Sequence, residues 1–441
     1  MNRLFGTDGV RGVANDFLTP EIAFALGRAG GYVLAAHGAR RPVLVGRDTR
    51  CSGPMLEAAL SAGLCSVGLD VWNVGIVPTP AVAFLTRRLG AGAGIMISAS
   101  HNPIEDNGIK LFAGSGCKLA DDLEDEIAAQ VEAHNDLPRP VGDRVGTIFD
   151  RRRSAKLYRD HCVSLGAPLE RRTIVVDAAY GAAYDIAPKV FRALGADVVP
   201  LHCTADGRRI NVDSGATNLG VLRAAVLSRP KSVGVAFDGD ADRALFVDER
   251  GDEVTGDHVL AILAKELMQK GRLPKDTVVA TVMSNLGLEL AVAEMGATLL
   301  RTAVGDRYVL EAMQAGGYRI GGEQSGHIID LESNTTGDGI ATAARVLSLA
   351  VREGSLSSLA GQMRTYPQIL VNVRVVDKRR AEEDEAVRAE VKTIEEQLAG
   401  HGRILVRPSG TEPLVRIMIE GTDEVEMRRL AQRVVDKIAA A

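Results

Sequence analysis

A chain of 441 residues exceeds the roughly 100 to 200 residues of one ordinary core, so three or four domains are expected. With 46% hydrophobic and 25% charged residues, it has the balance of a globular protein rather than a disordered or membrane one. A net charge of −5 and only 4% aromatic residues exclude a general polyanion binder and a base-stacking surface, so any phosphate must be gripped at a local site.

Met1 to Gly12 has no apolar core of signal-peptide length, and no run reaches the roughly 18 apolar residues of a membrane helix. The five cysteines, Cys51, Cys65, Cys117, Cys162 and Cys203, are odd in number and scattered, which suits structural thiols in a reducing compartment. A cytoplasmic protein with no membrane or nucleic-acid partner is expected.

Pro42 to Trp72 is the first of three stretches that share one plan. Thr173 to Pro200 and Thr277 to Arg301 are the others. Each has a β-branched strand (Val43 to Val45, Ile174 to Val176, Val278 to Ala280), a small-residue turn and an amphipathic helix. A second strand opens at Gly68, Gly195 or Gly296. Periodicity that changes from strand to helix to strand over about 30 residues predicts βαβ units and mostly parallel sheets. Three similar mixed α/β domains are the simplest outcome, with repeats inside one large sheet as the alternative.

Within this frame, Ser98-Ala99-Ser100-His101-Asn102-Pro103 follows the apolar strand Ala93 to Ile97, placing small polar groups where α/β proteins keep their sites. Ser98, two residues before Ser100 on an extended segment, is expected to lean to the same side. Leu137 to Arg153, rich in Pro, Gly and Arg, reads as a domain boundary.

Asp238-Gly239-Asp240-Ala241-Asp242-Arg243 joins the strands Val233 to Phe237 and Ala244 to Val247. Its alternating carboxylates need a hard cation, Mg²⁺ or Ca²⁺. An EF-hand is excluded: Arg243 stands where the loop needs glycine, and the flanks are strands, although Glu249 falls at the twelfth position. Gly321-Gly322-Glu323-Gln324-Ser325-Gly326-His327 offers acceptor, donor and proton-transfer groups for sugar hydroxyls.

Another boundary lies near Thr365 to Gln368. Beyond it come a strand at Ile369 to Val376, a helix at Ala381 to Leu398, two strands within Arg403 to Gly421, and a helix at Met427 to Ala440. The two strands enclose Arg407-Pro408-Ser409-Gly410-Thr411-Glu412-Pro413, a bidentate Arg with hydroxyls and N–H groups for an anion nest. The expected domains are 1–150 with the Ser100 loop, 151–255 with the metal loop, 256–367 with the sugar loop, and a smaller α+β domain at 368–441.

These four loops, one per expected domain and in this order, resemble the α-D-phosphohexomutase family over essentially the whole chain. Phe5-Gly6-Thr7-Asp8-Gly9-Val10-Arg11-Gly12, with the Gly322 to His327 and Arg407 to Pro413 loops, is most similar to the branch that interconverts glucosamine 6-phosphate and glucosamine 1-phosphate for bacterial cell-wall and nucleotide-sugar precursors. Branches acting on glucose or mannose phosphates are the alternative. They often differ at Val304-Gly305-Asp306-Arg307-Tyr308, although no role for Asp306 or Arg307 follows from that.

The resemblance implies four domains around one central cleft, a small phosphosugar as partner, and leaves a homodimer open. It implies that Ser100 carries phosphate and completes a Mg²⁺ site with Asp238, Asp240 and Asp242, with a sugar 1,6-bisphosphate as intermediate and activator. Arg11, His101 and Arg243 would lie near the transferring group, and Lys110 would be the general acid or base. Glu323 and Ser325 would hold sugar hydroxyls with His327 close by, while Arg407, Ser409, Gly410 and Thr411 bind the phosphate that is not reacting.

Overall fold

The β-branched runs form four separate sheets rather than one. In the first, β1 (Val10–Val13), β2 (Val43–Arg47), β3 (Val71–Ile76), β4 (Ala93–Ile97), β5 (Asp106–Ala113) and β6 (Ile148–Asp150) lie in the order β1-β5-β4-β2-β3-β6. The second orders β7 (Thr173–Asp177), β8 (Asp197–Leu201), β9 (Val233–Phe237), β10 (Ala244–Val247) and β11 (Glu253–Val254) as β11-β10-β9-β7-β8. In the third, β12 (Thr277–Thr281), β13 (Thr298–Thr302), β14 (Ile320–Gly322) and β15 (Ile328–Asp330) run β13-β12-β14-β15. The last is antiparallel, β16 (Gln368–Arg374), β17 (Gly402–Pro408) and β18 (Leu414–Gly421) in the order β16-β18-β17.

This computed structural model describes residues 4–6, 8–38, 42–133, 137–377, 383–408 and 414–440. They form two compact units, Met1–Val282 with Leu300–Gly361, and Met283–Leu299 with Gln362–Ala441. The expected strand-helix-strand stretches are all present, with helices Gly53–Ser66, Ile186–Ala193 and Leu286–Glu294. The glycines do not open the second strands, which start at Val71, Asp197 and Thr298. Gly68, Gly195 and Gly296 have φ of 90°, 87° and 78° and close the preceding helix. In each, the glycine N–H and the following N–H return to helix carbonyls, as in Gly68 to Cys65 at 3.0 Å and Leu69 to Leu64 at 3.2 Å. That left-handed stop favours a residue without Cβ.

In the first unit, helices Pro20–Ala36 and Gly53–Ser66 cross at Gly27 and Gly63. A Cβ on either would come within 2.3 Å of a carbonyl oxygen of the other helix, so the approach depends on both glycines. Their apolar faces join Val43, Val45, Ile95, Ile97 and Ile109 in one core, which stiffens the strands that present the Ser100 loop. The Leu137 to Arg153 segment ends in β6, paired parallel to β3 at the edge of the same sheet.

In the second unit, Val415, Ile417 and Ile419 of β18 pack with Val387, Ile394, Leu430 and Val434 from two helices. The first helix is described from Glu385, capped by Asp384, and residues 381 and 382 of the expected span lie outside the described residues. The last begins at Glu424 rather than Met427, because Asp423 Oδ1 accepts the N–H groups of Val425 at 2.9 Å and Glu426 at 3.1 Å.

Candidate active site

Between β4 and β5, Ser100 has φ of 53°, left-handed backbone for a residue with a Cβ. Such a conformation costs about 1 to 2 kcal/mol and persists only where its surroundings hold it. Here the Ser100 carbonyl accepts from Arg50 Nη2 at 2.9 Å and Asn211 Nδ2 at 2.8 Å, and its N–H donates to Ser98 Oγ at 3.0 Å. The left-handed turn breaks the two-residue alternation, so Ser98 does not lean the way of Ser100: its hydroxyl donates to Asp48 Oδ2 at 2.6 Å, inside the domain.

Arg50 is fully buried and also donates to the carbonyls of Asn102 at 2.8 Å, Asp106 at 3.0 Å and Pro103, while Nε pairs with Asp48 at 3.0 Å. Arg50→Met is therefore expected to lose about 3 to 5 kcal/mol of unfolding free energy in urea, since it strands Asp48 in the interior. A loss under about 1 kcal/mol, the range of an exposed pair, would show that the pair is not what holds the loop.

The Ser100 hydroxyl donates to Asp238 Oδ2 at 2.5 Å and lies 3.3 Å from His101 Nδ1. Burial, with the charges of Arg243 and Arg11 nearby, pushes His101 down to about 4, so its ring is neutral near pH 7. Arg11, on β1, and Arg243 each bury an Nε that has no hydrogen-bond acceptor among the described residues. Both guanidiniums are thus poised for an anion beside the serine.

Asp238, Asp240 and Asp242 are buried, and one oxygen from each lies within 4.8 Å of the others. Burial and the charges of Asp242 and Asp240 push Asp238 well above the usual carboxylate range. Asp240 Oδ1 and Asp242 Oδ1 are buried without a hydrogen-bond partner among the described residues. Orphaned oxygens in an all-carboxylate cluster fit a hard divalent cation, which removes the repulsion and fills their coordination. Lys110 Nζ, on β5, lies 3.0 Å from Asp240, 3.1 Å from Asp8 and 3.7 Å from Asp242. Burial would favour the neutral amine, but those carboxylates keep it charged well beyond the ordinary lysine range.

The Gly322 to His327 loop joins β14 to β15, closed by the Glu323 N–H to the His327 carbonyl at 3.0 Å. Glu323 and Ser325 are half-buried, and Ser325 Oγ is buried without a partner. His327 is placed differently: it is buried, with Nδ1 3.6 Å from Asp242 Oδ2. Burial opposes its charge, but Asp242 and Asp306, the latter 3.7 Å from Nε2, push the ring up to about 9, so Nδ1 carries a proton toward Asp242, and Nε2 accepts the Gly337 N–H at 3.2 Å only in the neutral ring. In the other unit, Arg407 on β17 stands opposite Arg416 on β18, and burial with that like charge pushes its guanidinium down. Ser409, Gly410 and Thr411 lie outside the described residues.

Sequence reading missed several groups of this site. Thr79 donates its hydroxyl to Asp240 Oδ2 at 2.6 Å across 161 residues of sequence, and Asn211 holds the Ser100 carbonyl from the second sheet's domain. Asp8 accepts from Arg11 and pairs with both Lys110 and Lys118, at 3.1 Å and 2.9 Å. Only Asp8 carried a signal, as a charged residue between Gly6 and Gly9 in the opening motif.

A hydroxyl on a buried carboxylate triad, unfilled guanidinium donors and a lysine are groups that together can serve phosphoryl transfer. Phosphoglucomutase/phosphomannomutase models match in four parts: alpha/beta/alpha domain I over residues 2–137, II over 157–251, III over 255–366, and the C-terminal domain over 370–437. Phosphoglucosamine mutase of Thermoanaerobacter pseudethanolicus is 52% identical over 99% of both chains, and that of Moorella thermoacetica 54% over 98% of both. A phosphoglucomutase/phosphomannomutase family protein of Burkholderia thailandensis superposes with TM-score 0.86 at 28% identity, over 100% of this chain and 98% of that one. Aspergillus fumigatus N-acetylphosphoglucosamine mutase, solved with GlcNAc-6P and magnesium, shares the fold at TM-score 0.69 and 16% identity, over 98% and 95% of the chains. The chain belongs to the phosphoglucomutase/phosphomannomutase family of phosphohexomutases.

Proposed function

We propose that this protein interconverts glucosamine 6-phosphate and glucosamine 1-phosphate through phospho-Ser100 and a 1,6-bisphosphate. The substrate choice follows the full-length relatives at 52% and 54% identity, which are phosphoglucosamine mutases rather than enzymes of glucose or mannose phosphates. The observation that carries the mechanism is the Ser100 hydroxyl donating to Asp238 at 2.5 Å, which sets the carrier oxygen on the carboxylate triad.

Asp238, Asp240 and Asp242, with the phosphate of Ser100, would hold Mg²⁺. A cation bound there supplies Lewis-acid stabilisation of the phosphoryl oxygens. In the first half-reaction the P–O bond to Ser100 Oγ breaks and Oγ takes a proton, while a P–O bond forms to the sugar's free hydroxyl, which gives its proton up. In the second, the bisphosphate presents its other phosphate, which returns to Ser100 Oγ while the sugar oxygen takes a proton.

Lys110, kept charged by its carboxylates, is the candidate acid for these transfers and serves as base only once it has passed its proton to a departing oxygen, while Arg11 and Arg243 offer their unfilled donors to the spreading charge. His101, neutral beside Oγ, adds no charge there. Glu323 and Ser325 hold the sugar hydroxyls, with His327 supporting Asp242 from behind. Arg407, with Ser409, Gly410 and Thr411, binds the phosphate that is not reacting. The like charges of Arg407 and Arg416 across their strands favour an anion there. The five free cysteines suit the reducing cytoplasm, where we place the reaction.

The test is incubation with glucosamine 6-phosphate, Mg²⁺ and a trace of sugar bisphosphate. Glucosamine 1-phosphate is expected. Free phosphate would mean a phosphatase, and neither product a sugar-phosphate binding protein. Glu323→Ala should lower kcat/KM at least about tenfold, since a charged hydrogen bond contributes about 1.5 to 3 kcal/mol. An unchanged value would move the sugar site elsewhere.

A further inference from the structure

Asp8 joins two of the candidate catalytic groups. Its Oδ2 accepts from Arg11 Nη2 and lies 3.1 Å from Lys110 Nζ. Oδ1 faces outward to Lys118 Nζ at 2.9 Å, and Lys118 in turn sits 2.8 Å from Asp306 Oδ2 and 3.0 Å from Asp306 Oδ1. Charges therefore alternate along Lys110, Asp8, Lys118 and Asp306, from β5 to the first residue of the helix Asp306–Gly316.

That helix is itself fixed against the first domain, because the next residue, Arg307, pairs with Asp121 as well as with Glu311 at 2.7 Å. Among the described residues, Lys110 is the member of this chain that pairs with the carboxylate triad. Asp306 and Lys118 touch none of the triad, Ser100, Arg11 or Lys110 by any bond found among the described residues, although Asp306 Oδ2 also lies 3.7 Å from Nε2 of His327, whose Nδ1 is 3.6 Å from Asp242.

We propose that Asp306, acting through Lys118 and Asp8, is a positioning residue that sets where the Arg11 guanidinium and the Lys110 amine stand for phosphoryl transfer. Lysine needs such a frame because its four-carbon stem leaves the ammonium mobile. A carboxylate with one oxygen on each of two lysines holds a defined orientation, whereas Asp8 released from Lys118 could turn its outer oxygen inward. Displacement of a reacting group by about an ångström suffices to lose roughly a hundredfold in rate. The third domain's loop would thereby tune the catalytic pair of the first, without touching substrate.

The inference rests on the mutase reading, so wild-type interconversion is measured first in the same assay. Its absence would overturn that reading and this inference with it. With an active wild type, Asp306→Asn should lower kcat roughly ten- to a hundredfold, with KM and the urea midpoint nearly unchanged. Asp306→Glu should restore most of kcat.

Since Asp306 acts through Asp8, the double variant Asp8→Asn/Asp306→Asn should be no slower than Asp8→Asn alone. An unchanged kcat in Asp306→Asn, a loss confined to KM, or fully multiplicative losses in the double variant would each overturn the positioning role while leaving the mutase reading intact.

Discussion

Ser100→Ala is expected to lose at least about a thousandfold of interconversion, and with it the single phosphate found by intact-mass analysis on part of the wild-type protein. Alanine keeps the Cβ, so the left-handed backbone at φ 53° is no more strained than before. The carbonyl bonds from Arg50 and Asn211 and the N–H bond to Ser98 involve only the main chain of residue 100, so the loop keeps its shape.

What disappears is the oxygen that donates to Asp238. Bound glucosamine 6-phosphate should still raise the unfolding temperature of the variant, since the sugar and distal phosphate grips are untouched. Ser98 is no control here: it is buried between Asp48 and the Ser100 N–H, and removing its hydroxyl would loosen the carrier itself. Ser228, exposed after the helix Gly220–Leu227, serves instead, and Ser228→Ala should keep both phosphate and activity. Normal turnover by Ser100→Ala, or phosphate at another serine, would falsify the carrier assignment.

The behaviour of Ser98 and Ser100 marks where sequence reading stops. Short apolar runs located β4, β9 and β10, and so placed the Ser100 and Asp238 loops at strand ends, because strands buried on both faces read as continuous apolar stretches. The expected side-to-side alternation failed three residues past β4, where Ser100 turns left-handed under hydrogen bonds from Arg50 and Asn211, 50 and 111 residues away.

Nothing local to Arg47-Asp48-Thr49-Arg50 marks Arg50 as buried, yet it is fully buried, since only the fold supplies the carbonyls that satisfy its guanidinium. Gly68, Gly195 and Gly296 were legible as punctuation but not as helix stops, because a glycine between a helix and a strand fits either role until its φ is known. His327 shows the same limit: its motif marks a polar loop, while the pairing with Arg243 that turns the ring toward Asp242 is a tertiary fact.

Asp240→Asn should weaken Mg²⁺ binding at least about tenfold by calorimetry and slow turnover severely, with partial recovery at high Mg²⁺. Asp240 divides its oxygens: Oδ2 accepts from Thr79 at 2.6 Å and lies 3.0 Å from Lys110, while Oδ1 is buried with no partner. Asparagine keeps the shape but removes the charge. Its amide must also turn either a donor toward Lys110 and Thr79 or a donor toward the two neighbouring carboxylates, and a donor cannot ligate a cation.

Thermal shift separates this from simple damage to the fold. Cation bound only by the native state stabilises it by about 2.7 kcal/mol at one hundred times its Kd, so wild-type protein should melt higher in Mg²⁺ than in chelator. In Asp240→Asn that Mg²⁺-dependent increment should shrink at equal Mg²⁺, whatever the variant's own melting point, because the orphaned Oδ1 that asks for a cation has become an uncharged amide atom. Equal Mg²⁺ affinity, an equal increment and full activity in the variant would remove the triad from the mechanism.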